Sequence, residues 1–256
     1  MILGVHSATF VKNWHEDVKP YIHLCKKAGY KSVEVSLLGQ TPSSAKEIAK
    51  LANDLNISIT CTTGLSNEED ISSSDPVIQQ NGVDALKRAI DMTAIMQAKL
   101  LTGVVHAAWG ISNSMGKDKE GKFQNSSHSI KKITSFLSEK NIKLGIEPLN
   151  RYESDFINTV DEGIRLCELI DHPNVGLLLD AYHMNIEEDG MSKSVIQAGD
   201  RLGFVHIGES HRGYLGTGNV DFDTFFKALK EIKYQGPITF ESFSSAVVDP
   251  ALSNTL

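Results

Sequence analysis

Short, near-continuously apolar runs alternate with amphipathic stretches along the whole chain. The runs predict strands at 2–6 (ILGVH), 31–36 (KSVEVS), 57–63 (ISITCTT), 99–105 (KLLTGVV), 142–147 (IKLGIE), 175–180 (VGLLLD), 202–207 (LGFVHI) and 237–241 (PITFE). They lack strict alternation, as parallel strands covered on their outer face by helices do. Helical patterns fall between them, over 15–28, 43–55, 76–97, 124–140, 159–170, 193–199 and 221–233. Thr41-Pro42 and Asp75-Pro76 open the second and third helices, Gly29 closes the first, and Gly236-Pro237 precedes the last strand. No linker or change of composition divides residues 1–256, so a single domain is expected.

Eight strands and seven helices, about 32 residues per unit, match a (β/α)8 TIM barrel. An open doubly wound sheet is the alternative that pattern alone leaves. Only 15 residues follow the last strand, and SSAVVDPALSNTL is too short and weakly amphipathic for a full helix, so the eighth helix is expected to be missing or truncated. The connections 64–75, 106–123 and 181–192 are long and follow strand C-termini, the end at which a barrel carries its active site.

Composition narrows the function. With 41% hydrophobic residues the chain can build a sizeable core, and a net charge of -7 argues against nucleic acid, whose phosphates need clustered basic groups. Cys25, Cys61 and Cys167 form no CxxC pair and read as buried, reduced thiols. The N-terminus lacks the basic region and long apolar stretch of a signal peptide, and no run approaches the ~18 apolar residues of a membrane span. A soluble, cytoplasmic protein is expected.

The last four predicted strands end in Glu147, Asp180, His206 and Glu241, separated by 33, 26 and 35 residues, each close to one βα unit. In a barrel these side chains would converge at one mouth. A single such carboxylate is usually a cap or an ion-pair partner. Four ligand-type groups in register would repel unless a cation lies among them. Three carboxylates and an imidazole suit Mn²⁺, Co²⁺ or Mg²⁺ better than Zn²⁺.

The segments around these residues are GIEPLNRYE, LLLDAYHMNIEE, VHIGESHRGYLGTG and ITFESF, with TTGLSNEED after the third strand. They resemble the ketose 3-epimerases of the xylose isomerase-like superfamily, which act on D-tagatose, D-allulose (psicose) or L-ribulose. The resemblance runs from the first strand to the eighth. It implies that Glu147, Asp180, His206 and Glu241 hold a divalent metal, that Glu147 and Glu241 are also the acid/base pair, and that Glu153, His183 and Arg212 contact the sugar. It further implies a cis-enediolate intermediate, no organic cofactor, and a homodimer or homotetramer.

From the residues alone, Glu153 pairing with Arg151 or capping the next helix, His183 ordering its loop and Arg212 in a surface ion pair remain open. His6, Trp14 and Trp109 follow strand ends and would wall a sugar site or pack as core. Glu187, Glu188 and Asp189 read as a solvated acidic loop. Rival functions on the same barrel are an aldose–ketose or hydroxypyruvate isomerase and a sugar-phosphate epimerase. Less favoured are an apurinic-site nuclease, which needs more histidines and a basic groove, and a non-catalytic sugar-binding protein.

Overall fold

The structure, a computed structural model, describes residues 2–110 and 118–243. Its strands are β1 (Ile2–His6), β2 (Ser32–Ser36), β3 (Ser58–Leu65), β4 (Leu100–Ala108), β5 (Lys143–Ile146), β6 (Val175–Asp180), β7 (Leu202–Ile207) and β8 (Pro237–Phe240). They pair in chain order, all parallel, and β8 pairs with β1 to close a barrel. The open sheet is thereby excluded. The expected absence of an eighth helix concerns 244–256 and lies outside the described residues.

Around the barrel run α1 (Lys19–Ala28), α2 (Pro42–Leu55), α3 (Pro76–Ile95), α4 (Lys119–Lys131), α5 (Thr134–Lys140), α6 (Val160–Ile170), α7 (Ala181–Glu187), α8 (Met191–Ala198) and α9 (Phe222–Glu231). Side-chain caps start several of them. Thr41 and Thr159 form capping boxes at α2 and α6, and Asp75 accepts from Val77 N–H at α3. No helix among the described residues is long and apolar enough to cross a membrane.

Three helical expectations are corrected. The first helix begins at Lys19 rather than 15, because Pro20 suits a first turn and residues 12–17 are tied into turns by Glu16 and Asn13. The helix expected over 124–140 is two. Asp118 caps the chain earlier by accepting from Gly121 N–H, while a tight turn at Lys132 and Ile133 buries Ile133 completely and separates α4 from α5. The connection 181–192 contains α7, whose first turn is capped by Asp180 itself.

Strand alternation sorts the barrel into an apolar shell and a polar interior. Val33 and Val35 of β2 join the buried apolar cluster that includes Ile22 of α1 and Ile48 of α2. Glu34, between them, is fully buried and faces inward, where it reaches Thr102 of β4 and His206 of β7. Polar side chains thus fill the axis beneath the mouth. Backbones also crowd there: Gly103 has φ +101°, and a Cβ on it would come within 2.4 Å of the Thr63 carbonyl.

Candidate metal site and surrounding cavity

The C-terminal ends of β5–β8 deliver Glu147, Asp180, His206 and Glu241 to one point, each within two residues of its strand's end. One ligand-type atom from each lies within 4.8 Å of the others, and all four residues are buried. Register makes this possible: Asp180 is the Cα partner of His206, and β8 places Thr239 opposite His206, two residues before Glu241.

Asp180 divides its oxygens. Oδ1 accepts from Tyr182 N–H at 2.9 Å to cap α7, and Oδ2 faces the site. His206 lies with Nδ1 3.7 Å from Glu147 and 3.6 Å from Glu241, while Nε2 bonds Glu34 Oε2 at 2.6 Å. Its Nδ1 is buried with no hydrogen-bond partner among the described residues.

The electrostatics call for positive charge. Burial pushes Glu147 up to about 7 and Asp180 up to about 6. Burial would raise Glu241 too, but the charges of His206 and Arg212 outweigh it and hold that carboxyl at about 2. Burial alone would lower His206; the carboxylates of Glu34 and Glu241 reverse this and raise it well above the usual range. A partnerless imidazole nitrogen among three carboxylates fits a divalent cation.

Above the site opens a cavity at the mouth of the barrel. Glu147 and Glu241 line it, but Asp180 and His206 do not; the latter pair is deeper, with side chains 0% and 1% exposed against 8% and 10%. Glu153, His183 and Arg212 form the polar side. His6, Trp14 and Trp109 line the cavity with Leu149 and Phe243. His6 is itself fixed by accepting from Ala8 N–H at Nδ1.

Arg212 is buried, not part of a surface pair. Its guanidinium donates to Glu241 at 2.8 Å and Asp180 at 3.3 Å, lies 3.5 Å from Glu153, and stacks 3.9 Å above the Tyr182 ring. The backbone there is left-handed, φ +56°, and is held where Ser242 Oγ donates to the Arg212 carbonyl. Glu209 braces the same loop by accepting from the N–H groups of Ser210, Gly216 and Val220.

Arg151 pairs with Glu187 rather than Glu153, its guanidinium at 2.9 Å. Glu187 also accepts the Arg151 N–H, and Glu188 accepts the N–H of Val160 at the start of α6. These two acids therefore clamp loops together, which corrects the solvated-loop expectation; Asp189 is exposed.

Two residues escaped the sequence reading. Asn150, fully buried, donates its backbone N–H to His183 Nδ1 and its side-chain amide to Glu153. Glu34 holds His206. The available signals were the asparagine inside ExxNRYE and an acid at the centre of the apolar run SVEVS.

A closed parallel barrel with a carboxylate–histidine cluster at its C-terminal mouth defines a TIM-barrel protein whose strand ends could hold a metal ion. The chain belongs to the xylose isomerase-like TIM barrel family, whose model matches residues 22–254. It is 43% identical to the L-ribulose 3-epimerase of Methylomonas sp. (strain DH-1) over 99% of this chain and 88% of that one. It is 37% identical to a ketose 3-epimerase of Arthrobacter globiformis, over 100% and 88% of the two chains. The crystal structure of the D-allulose 3-epimerase from Methylomonas sp. in complex with D-allulose superposes with a TM-score of 0.91 at 42% identity, covering 100% and 88%. These relatives are isomerases that act on ketoses.

Proposed function

We propose that the protein is a metal-dependent isomerase that epimerises free ketoses at C3. The observation that carries this reading is the division of the four strand-end ligands. Of the four, only Glu147 and Glu241 line the cavity, so two carboxylates meet one substrate. Inversion requires one group to remove the C3 proton and another to return a proton on the opposite face. Glu147 and Glu241 take those roles, exchanging them according to the epimer bound, with a cis-enediolate between.

Glu153, His183 and Arg212 hold the sugar hydroxyls, and Arg212 keeps Glu241 oriented. His183 is kept neutral chiefly by burial, with Arg212 adding to the effect. Its Nδ1 accepts from Asn150 N–H, and its Nε2 faces the Arg212 guanidinium at 3.3 Å. His6, Trp14 and Trp109 supply the apolar wall. A divalent cation held by Glu147, Asp180, His206 and Glu241, Mn²⁺ or Co²⁺ with Mg²⁺ as the alternative, would supply Lewis acidity for the developing oxyanion. The reaction is redox-neutral and calls for no organic cofactor.

A phosphorylated substrate is disfavoured. Arg212 is the sole arginine or lysine among the described lining residues, and it is engaged by Asp180 and Glu241. The three free cysteines accord with a cytoplasmic site of action, and we extend the proposal to a homodimer or homotetramer, which light scattering would measure.

The test is proton NMR in D₂O after incubating the Mn²⁺- or Co²⁺-loaded protein with D-fructose, D-tagatose and L-ribulose and then removing the metal. Deuterium at C3 with the 3-epimer is expected. Exchange at C1 with an aldose appearing would reassign the chemistry to an aldose–ketose isomerase, and no exchange with any of the three would defeat the proposal.

A further inference from the structure

We infer that Glu34 is a positioning residue that locks the His206 ring with Nδ1 presented to the metal, and so sets the affinity of the site for divalent cations. The inference rests on the metal-site reading above and adds a residue outside the four ligands.

Glu34 and His206 are 172 residues apart and stand on strands that do not touch in the sheet, since β1 and β8 lie between them. Their bond therefore crosses the barrel interior. Oε2 meets His206 Nε2 at 2.6 Å, and Oε1 accepts from Thr102 Oγ1 at 2.9 Å, so both oxygens are used. The Glu34 side chain has no exposure. The layer leaves room for this chain of contacts, because a Cβ on Gly145 would come within 3.0 Å of the Thr102 methyl.

Barrel interiors are ordinarily filled by branched apolar side chains. A buried ion pair adds little stability compared with an apolar pair of equal volume, so packing does not account for a carboxylate here. Orientation does. A carboxylate only accepts, which requires the ring proton at Nε2. A neutral His206 then carries its lone pair at Nδ1, the nitrogen that faces Glu147 and Glu241 and has no hydrogen-bond partner. With Nε2 tethered to β2, and β2 tethered through Thr102 to β4, the ring cannot flip to offer the wrong nitrogen. Hydrogen-bonded carboxylates behind a ligating histidine are typically worth 10–100-fold in metal affinity.

The experiment titrates the metal-free full-length protein with Mn²⁺ by calorimetry, for the wild type, Glu34→Gln and Glu34→Leu, alongside thermal unfolding of each. Glu34→Gln keeps an acceptor and should lose less than about tenfold, whereas Glu34→Leu should lose about 10–100-fold while still unfolding cooperatively. A purely structural role would lower the melting temperature and leave the affinity of the folded protein unchanged, and that result overturns the inference. Should Glu34→Leu fail to fold, the Co²⁺-loaded wild type decides. It should show a slowly exchanging, hyperfine-shifted ring N–H resonance from the buried Nε2, displaced in Glu34→Gln, and its absence from a Co²⁺-saturated sample would overturn the proposal. A wild type that binds neither Mn²⁺ nor Co²⁺ would remove the metal-site reading as well; tight wild-type binding matched by Glu34→Leu would remove only the role of Glu34.

Discussion

The backbone N–H of Asn150 donates to Nδ1 of His183 at 3.1 Å and ties the loop after β5 to the helix after β6. The Asn150 amide holds Glu153 at 2.8 Å, so one residue orients two groups assigned to the sugar. Asn150→Ala should keep the barrel folded and lower kcat/KM on the order of tenfold, since a buried hydrogen bond left unmade costs about 1–3 kcal/mol. The variant keeps the backbone N–H that holds His183, so steady-state kinetics on the preferred ketose test the side-chain amide, and an unchanged kcat/KM would mean that Glu153 positions itself.

Glu241→Gln preserves shape and still offers Arg212 an acceptor, but it can neither remove nor return a proton. Turnover should fall on the order of 10³-fold with the circular dichroism spectrum intact. Near-normal C3–deuterium exchange in this variant would take Glu241 out of the acid/base pair.

Arg212 spreads one planar fork over Glu241, Asp180 and the face of Tyr182. Lysine keeps the charge and loses the fork. Arg212→Lys should therefore lose roughly 2 kcal/mol of transition-state stabilisation, a factor of about 30 in kcat/KM. Equal activity in the two proteins would show that charge alone is needed at that position.

Metal removal should also be visible without substrate. A cation at 100 times its dissociation constant adds about 2.7 kcal/mol to the folded state, which for a chain of this size raises the melting temperature by roughly 5–10 °C. Differential scanning fluorimetry with EDTA, then with excess Mn²⁺ or Co²⁺, tests it. Superimposable curves would count against a metal site at Glu147, Asp180, His206 and Glu241.

The thiols report on packing. Burial pushes Cys25 up to about 11 and Cys61 and Cys167 up to about 12, from an ordinary 9.0. Below pH 9 the thiols are protonated in both folded and unfolded chains. Above it the unfolded chain releases protons that the folded chain retains, so stability falls as pH rises. Ellman's reagent at pH 8 should leave the native protein unlabelled and titrate three thiols after denaturation; rapid native labelling would show an open core.

How much was legible in advance follows from the range of each interaction. The strands are legible because an apolar run with a βα spacing is a local signal, and the cluster of Glu147, Asp180, His206 and Glu241 because each stands at the end of its own strand. α7 is not legible although its cap is: the sequence presents Asp180 as a candidate ligand, and the structure uses one of its oxygens to start a helix. The pattern over 124–140 reads as one helix because apolar spacing runs through the break, while burial of Ile133 and the hydroxyl of Thr134 on the Lys131 carbonyl end the first segment.

By itself the sequence determined the βα order, the residue types at the strand ends and the charge that disfavours nucleic acid, all carried by neighbours along the chain. Only the tertiary structure decided that β8 returns to β1, that Glu147 and Glu241 reach the cavity while Asp180 and His206 lie beneath it, and that Glu34 stands behind His206. The reason is physical. Exposure and hydrogen bonding of an inward side chain depend on which strand lies across the barrel, and that is settled by closure and register between residues far apart in the chain.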